Sequence, residues 1–246
     1  MDESNNIYES QELLDQYLLF HYGTAEEVLP YPGGPHEALG FAGRTVTENL
    51  DTGQVRGRAL DVGCAVGRSS FELSRFCESV TGIDFSSAFV DAATKLRDGE
   101  TLGYSRLDEG TQSTPLTVHI PEGSHPERIC FEVGDATALR EDLGEFDVVH
   151  AANLICRLPD PSKFLQRLPS LVAPGGQLVL TTPCTWLGEF TLPEFWPQGP
   201  TLDWLDSQLG ESFRRTAARD MPFLIREHSR KFQWSVAQAS VWSRYS

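Results

Sequence analysis

Positive charge is scarce in this chain. Its 246 residues hold 20 Lys and Arg against 35 Asp and Glu, a formal net charge of −15. An acidic surface repels phosphate backbones and anionic lipids, so nucleic-acid and membrane partners are disfavoured. No dense Lys/Arg run offers a local exception. No apolar run approaches the ~20 residues of a membrane span. The five cysteines are odd in number and contain no C-x-x-C pair, which predicts reduced thiols and no structural zinc. No metal cluster is apparent either. The opening MDESNNIYES is polar and acidic, the wrong composition for a signal or transit peptide, so a cytoplasmic location is expected. Internal repeats and long low-complexity linkers are lacking as well. What remains, with 40% hydrophobic residues, suits one α/β domain over residues 1–246 with a sizeable core.

The most informative stretch is Arg58 to Ser70, RALDVGCAVGRSS. Ala59, Leu60 and Val62 read as a buried strand; Gly63, Cys64, Ala65, Val66 and Gly67 make a glycine turn; Ser69, Phe71, Leu73 and Phe76 begin a helical pattern. Such a turn offers backbone N–H groups and a helix N-terminus to a ligand. A dinucleotide fold wants G-x-G-x-x-G, but Ala65 stands where its second glycine belongs. The next strand, Ser79 to Ile83, ends in Asp84, where a carboxylate can accept from both hydroxyls of a ribose. A third strand, Ile129 to Val133, leads into Gly134-Asp135-Ala136, and a fourth runs from Phe146 to Ala151 with Asn153 just beyond.

Taken in order and spacing, DVGCAVG, GID, GDA and FDVV resemble the cofactor motifs of class I S-adenosylmethionine (SAM)-dependent methyltransferases. The resemblance implies a doubly wound, seven-stranded, mostly parallel sheet with its last strand antiparallel. It also implies a SAM site. The loop of Gly63, Cys64 and Gly67 would hold the methionyl part, and Asp61 would receive the amino group directly or through water. Asp84 would take the ribose hydroxyls, with Phe85 beside the adenine. Asp135 would hold the adenine amino group, and Ala136 would supply a backbone N–H. Asp147 starts its strand at the opposite edge and is read as structural.

The other segments define what surrounds that core. Residues 1–50 form a helical cap. Leu13, Leu14, Tyr17, Leu18 and His21 recur at helical spacing within Glu9 to Tyr22, and a second helix is expected over His36 to Leu50. Tyr17, Phe20, His21 and Tyr22 are equally compatible with a packed core and with a wall of the site. Residues 97–127 form a polar insertion, β-like at Leu116 to Ile120. Because it follows a helix that returns to the far edge of the sheet, it is expected away from the cofactor, making structural or dimer contacts. A helix over Pro161 to Val172, interrupted at Pro169, a Pro174-Gly175-Gly176 turn and a fifth strand, Gln177 to Thr182, come next. Residues 183–231 are then expected on the substrate side. Trp186, Phe190, Phe195 and Trp196 either cover the site or pin a long loop. Leu202 to Leu209 is helical, Phe213 to Ala218 is the sixth strand, and Phe232 to Trp242 returns as the seventh. The turn between these strands, Asp220 to Lys231, is expected to bring Arg226, Glu227 and His228 near the cofactor.

A closer resemblance covers almost the whole chain. ESQELLDQYLLFHYG, AANLICRLPDP, LPSLVAPGGQLVLTTPCTWLGEF and PFLIREHSRKFQWSVAQASVW are similar to the methyltransferase of ovothiol biosynthesis. That family methylates a ring nitrogen of 5-thiohistidine (4-mercaptohistidine). Many members are fused to an iron-dependent sulfoxide synthase; this sequence has no H-x-x-x-H-x-E pattern, so the resemblance implies a functional link to a separate synthase. For such an amino acid, Arg226 is a candidate for the carboxylate and Glu227 for the ammonium. His228 or Tyr22 would hydrogen-bond the ring and take its proton, and Asn153 would orient it. Tyr17, His21 and Trp186 would wall the substrate. Each has a plainer alternative: a surface ion pair for Arg226 and Glu227, loop stabilisation for His228, a turn cap for Asn153. At the level of function the alternatives are another small-molecule N- or O-methyltransferase, a protein methyltransferase, and a SAM-binding protein without activity.

Overall fold

A computed structural model describes residues 7–51 and 56–246. Helices α1 (Gln11–Tyr22), α2 (Ala25–Val28) and α3 (Phe41–Thr47) precede the sheet. Strand β1 (Arg56–Val62), helix α4 (Arg68–Leu73), strand β2 (Cys77–Asp84) and helix α5 (Ser87–Arg97) form the first half. Then come the hairpin β3 (Gly103–Glu109) and β4 (Gln112–Thr117), and strands β5 (Ile129–Val133) and β6 (Phe146–Ala152). Helix α6 (Pro161–Arg167), strand β7 (Val172–Thr182), helix α7 (Thr201–Leu209) and strands β8 (Phe213–His228) and β9 (Lys231–Arg244) complete the order.

The main sheet has seven strands in the order β5-β2-β1-β6-β7-β9-β8. Strands β5, β2, β1, β6 and β7 pair in parallel, and β9 runs antiparallel to both β7 and β8. This is the expected doubly wound α/β sheet. Its strands read as near-continuous apolar runs because both faces are covered. One face packs Leu18, Val46, Phe71, Phe89 and Leu96. The other packs Phe164, Leu165, Leu205, Leu209 and Trp242. No helix among the described residues is long and apolar enough to cross a membrane.

Several boundaries differ from the sequence expectation, each for a local reason. The helix expected over His36 to Leu50 is split: a 3-10 turn, His36–Ala38, stops at Gly40, whose φ of 63° starts α3 in the left-handed region. The helix expected over Pro161 to Val172 with an interruption at Pro169 ends as α6 at Arg167, two residues before that proline, and a 3-10 turn follows. Pro174-Gly175-Gly176 is an irregularity inside β7, where the register with β6 shifts, not a turn before it. The largest difference is at the C-terminus. The expected Asp220 to Lys231 turn is almost all strand, with only Ser229 and Arg230 at the tip. Pro222, inside that segment, sits on β8, the edge of the sheet, where a proline is tolerated.

The β8–β9 hairpin therefore outgrows the sheet. Thr182, the last residue of β7, pairs with Gln238, which in turn faces Asp220. From Asp220 to His228 the strand continues for about 26 Å at ~3.3 Å per residue. The hairpin β3–β4 packs against this projection and against α1: Ser229 donates to the Asp108 carbonyl at 3.0 Å, and the Ser105 N–H donates to Asp15 Oδ2 at 3.2 Å. The insertion makes structural contacts with α1 and β8. It is not remote from the ligand edge, because a strand from the other end of the chain reaches out to meet it.

Candidate active site

The ligand edge is built where β1, β2, β5 and β6 end. Gly63 and Gly67 have φ values of 72° and 88°. A Cβ at Gly67 would lie 2.8 Å from Phe131 Cζ, and one at Gly63 would lie 3.0 Å from Leu154 Cδ1. The loop is therefore closed to side chains at both glycines. Ala65, in the place of a second glycine, also takes a positive φ of 47°. The expectation that the loop offers its own N–H groups to a ligand needs correction. Those of Gly63 and Cys64 donate to the Ile83 carbonyl at 2.8 and 3.1 Å, that of Gly67 to Cys64 O at 2.9 Å, and that of Ala65 to Asp84 Oδ2 at 2.8 Å. Cys64 itself is buried, with its thiol pushed well up by burial, so it acts as a small core residue.

Asp84 ends β2 half-buried, with Oδ1 accepting from the Ser86 N–H at 2.9 Å. Burial pushes its pKa up to about 6, against the pull of the backbone donors at Ser86 and Ala65. Phe85 beside it is 43% exposed, an open aromatic face at the strand end. Asp135 accepts from Thr137 N and Oγ1 at 2.8 and 2.7 Å, and Ala136 is buried behind it. This set fits SAM. Asp84 would take ribose hydroxyls, Phe85 and Ala136 would flank the adenine, Asp135 would hold its amino group, and the glycine loop would face the methionyl chain. When bound, SAM supplies an electrophilic methyl on a sulfonium.

Asp61 does not face that space. It is 1% exposed, its Oδ2 accepts from Ser70 Oγ at 2.6 Å, and its Oδ1 lies 2.8 Å from His150 Nδ1. The opposite nitrogen of His150 lies 2.9 Å from Thr45 Oγ1, whose own proton goes to the Ala42 carbonyl at 2.8 Å. Asp61 is the acceptor of a buried network tying β1, β6, α3 and α4 together, instead of a direct partner of the cofactor's amino group. His150 was legible and overlooked: it is the register partner of Asp61 on the adjacent strand, an ionisable pair inside two apolar runs.

Helix α1 covers the site. The Tyr22 hydroxyl donates to the Val66 carbonyl of the glycine loop at 2.7 Å, and burial pushes its pKa well up. Tyr22 is therefore a brace between α1 and the loop and not the proton acceptor expected of it. His21 stacks on Tyr17 at a ring distance of 5.8 Å, and its buried Nδ1 has no hydrogen-bond partner. Burial depresses its pKa to about 3, so the ring is neutral. Tyr17 packs on Phe89 at 4.7 Å. N-terminal to α1, Glu9 accepts from the Ser87 and Ala88 N–H groups at 2.9 and 3.1 Å, laying this segment across the start of α5. Asn153, with a positive φ of 53°, follows β6; its Oδ1 accepts from Thr181 Oγ1 at 3.0 Å.

The remaining expected substrate residues lie elsewhere. Trp186 donates from Nε1 to Thr201 Oγ1 at 3.2 Å and packs edge-on against Trp204, so it pins the loop after β7 to α7. Arg226, Glu227 and His228 sit on the projecting hairpin, not beside the cofactor loop. Glu227 accepts from Lys231 and Gln233 at 2.6 and 2.8 Å, and His228 Nδ1 accepts from the Arg230 N–H. Arg226 is 4% exposed, pairs with Asp108 at 2.8 Å and donates to the carbonyls of Glu27 and Val28. Burial and the neighbouring Arg106 push its pKa down, with Asp108 opposing.

Arg226 therefore clamps the insertion and the N-terminal cap onto β8. Asp108→Asn is expected to cost about 2 kcal/mol at neutral pH, the worth of charge-assisted bonds to a buried guanidinium. The Asp108 carboxyl is held below its ordinary range by Thr114 and then Arg106. Its contribution is thus present at neutral pH and lost as pH falls through that lowered value. Urea titrations at pH 7 and pH 3 would check this. A large loss at pH 7 that vanishes at pH 3 is expected, with SAM affinity unchanged at pH 7.

The parallel sheet, the glycine loop closed to side chains, and the acidic strand end with its open aromatic neighbour together define a class I SAM-dependent methyltransferase. The chain belongs to the methyltransferase-domain family, whose pattern it matches over residues 36–234. It is 28% identical over 149 residues, 60% of this chain and 35% of the other, to a chloroplastic tocopherol O-methyltransferase of Arabidopsis thaliana. It is 26% identical over 123 residues, half of this chain and 42% of the other, to a ubiquinone biosynthesis O-methyltransferase of Coxiella burnetii. These alignments span well under two thirds of those relatives. Among solved structures, the N-methyltransferase NodS from Bradyrhizobium japonicum with S-adenosyl-L-homocysteine shares the fold at a TM-score of 0.55 and 13% identity, covering 95% of this chain and 99% of that one.

Proposed function

We propose that this chain transfers a methyl group from SAM to an imidazole nitrogen of 5-thiohistidine, the last step of ovothiol synthesis, on a substrate made by a separate sulfoxide synthase. The observation that carries the reading is His21. With its proton on Nε2, the neutral ring offers an unpartnered, buried Nδ1 as an acceptor, and a protonated imidazole nitrogen is a donor that suits it. His21 lies within YLLFHYG, one of the segments on which the ovothiol resemblance rests.

Its low pKa makes His21 a poor general base at neutral pH and a good positioning acceptor. By taking the N–H of one ring nitrogen, it turns the lone pair of the other toward the methyl. In-line displacement then needs alignment more than acid–base help. Tyr17 and Phe20 give the ring an aromatic wall, and Asn153 offers an amide from the opposite side of the cleft.

The test is a mass-spectrometric assay of purified protein with SAM and 5-thiohistidine, with histidine and a catechol as controls. One added methyl on thiohistidine alone is the expected result. Methylation of the catechol alone would favour the O-methyltransferase chemistry named for the curated relatives and overturn this reading.

A further inference from the structure

We propose that Arg157 is the carboxylate-binding residue of the acceptor site, the role that the sequence had suggested for Arg226; this rests on an amino acid being the acceptor. Arg157 belongs to the 3-10 turn Ile155–Arg157, four residues beyond Asn153 and directly downstream of the ligand end of β6. Its Cζ stands 4.6 Å over the Phe190 ring. Its Nη1 donates to the carbonyls of Cys156 and Thr185, both at 3.3 Å. Stacked on one side and tethered through one nitrogen, the guanidinium keeps a fixed plane.

Its surroundings mark it as a ligand group. Arg68, also beside the loop, is spent on Glu72, and Arg226 is spent on Asp108. Arg157 has no carboxylate within ion-pair distance among the described residues. It hydrogen-bonds the side chain of Tyr8, whose ring lies against Tyr17 and Phe89 and whose carbonyl accepts from Ser86 Oγ just beyond Asp84. It is therefore on the cofactor side of the cleft, under the N-terminal segment. A chain of net charge −15 repels an anionic acceptor, so a local cation without a carboxylate partner is what an amino acid would require. A planar fork with a fixed orientation receives a carboxylate through two parallel bonds, which a lysine cannot reproduce.

The experiment compares wild type, Arg157→Gln and Arg157→Lys on thiohistidine and on its decarboxylated amine, with SAM affinity measured alongside by calorimetry. In wild type the amino acid is expected to be preferred by about 100-fold in kcat/KM, and Arg157→Gln to lose that preference through KM, with kcat nearly kept. Arg157→Lys should recover only part of it. SAM affinity should stay within about twofold. Unchanged discrimination in Arg157→Gln would overturn the assignment. So would a fall in SAM affinity matching the rise in KM, since the guanidinium would then be serving the cofactor. If wild type turns over neither compound, the thiohistidine reading fails by itself. Arg157 is then tested by thermal shift with histidine against histamine in the presence of S-adenosylhomocysteine. Stabilisation by histidine over histamine that disappears in Arg157→Gln upholds the carboxylate role, and no preference in wild type removes it.

Discussion

Asp84→Asn is expected to weaken SAM binding by about 100-fold, close to 2.7 kcal/mol. In the proposed site the carboxylate would accept from two ribose hydroxyls, and hydrogen bonds to a charged group are worth roughly 1.5–3 kcal/mol each. The amide keeps one acceptor oxygen and offers an N–H where a second acceptor is needed. The same residue sets a pH dependence. With a pKa of about 6, the carboxyl takes up its proton as pH falls through that value, and SAM affinity should decline below it. The variant should show a flat profile over the same range. Stability without ligand runs the other way. A carboxyl whose folded pKa is raised disfavours the folded state above about 6, and the penalty fades as pH falls from there toward 4. Asp84→Asn should therefore be no less stable than wild type at pH 8. Calorimetric titration of SAM from pH 5 to pH 8 measures both parts, and an unchanged affinity at pH 8 would remove Asp84 from the cofactor site.

Asp61→Ala should produce the largest loss of stability of any substitution considered, about 4 kcal/mol. It strips the acceptor from His150 and from Ser70, both at 1% exposure or less, where water cannot replace it. Domains of this kind have only about 5–15 kcal/mol to lose. The exposed Arg140–Asp142 pair is the control: Asp142→Asn should leave the urea midpoint almost unmoved, because solvent screens such pairs. A small effect for Asp61→Ala, combined with a large fall in SAM affinity, would return Asp61 to the direct cofactor role suggested by the motif.

The sequence made much of the sheet readable, because each parallel strand is an apolar run bounded by glycine or a carboxylate. It was less informative at the edges. The segment from Asp220 to Lys231, with Pro222 in it, reads as a turn, but β8 is an edge strand and an edge tolerates proline. In the site, Asp84 ends β2, Phe85 follows it and Asp135 stands just past β5, because a strand end fixes position along one dimension. Arg226 and His228 failed that test. Their distance from the sheet depends on how far a hairpin extends, and alternation alone does not mark its end. His150 and Arg157 were missed for opposite reasons. The histidine is hidden in a strand otherwise apolar, and the arginine follows a short turn whose direction no periodicity reveals.

The Arg226 clamp also bears on how the molecule is assembled. Its guanidinium ties Glu27 to β8 across 199 residues, and Tyr31 reaches Ser229 across 198. Closing so long a loop is entropically slow, though doubling its length adds only about 0.6 kcal/mol. Contacts this distant in sequence place the domain toward the slow end of folding rates. During synthesis the N-terminal cap must wait, its aromatic face uncovered, until the last hairpin has left the ribosome. The roof of the site is therefore made well before the hairpin that secures it.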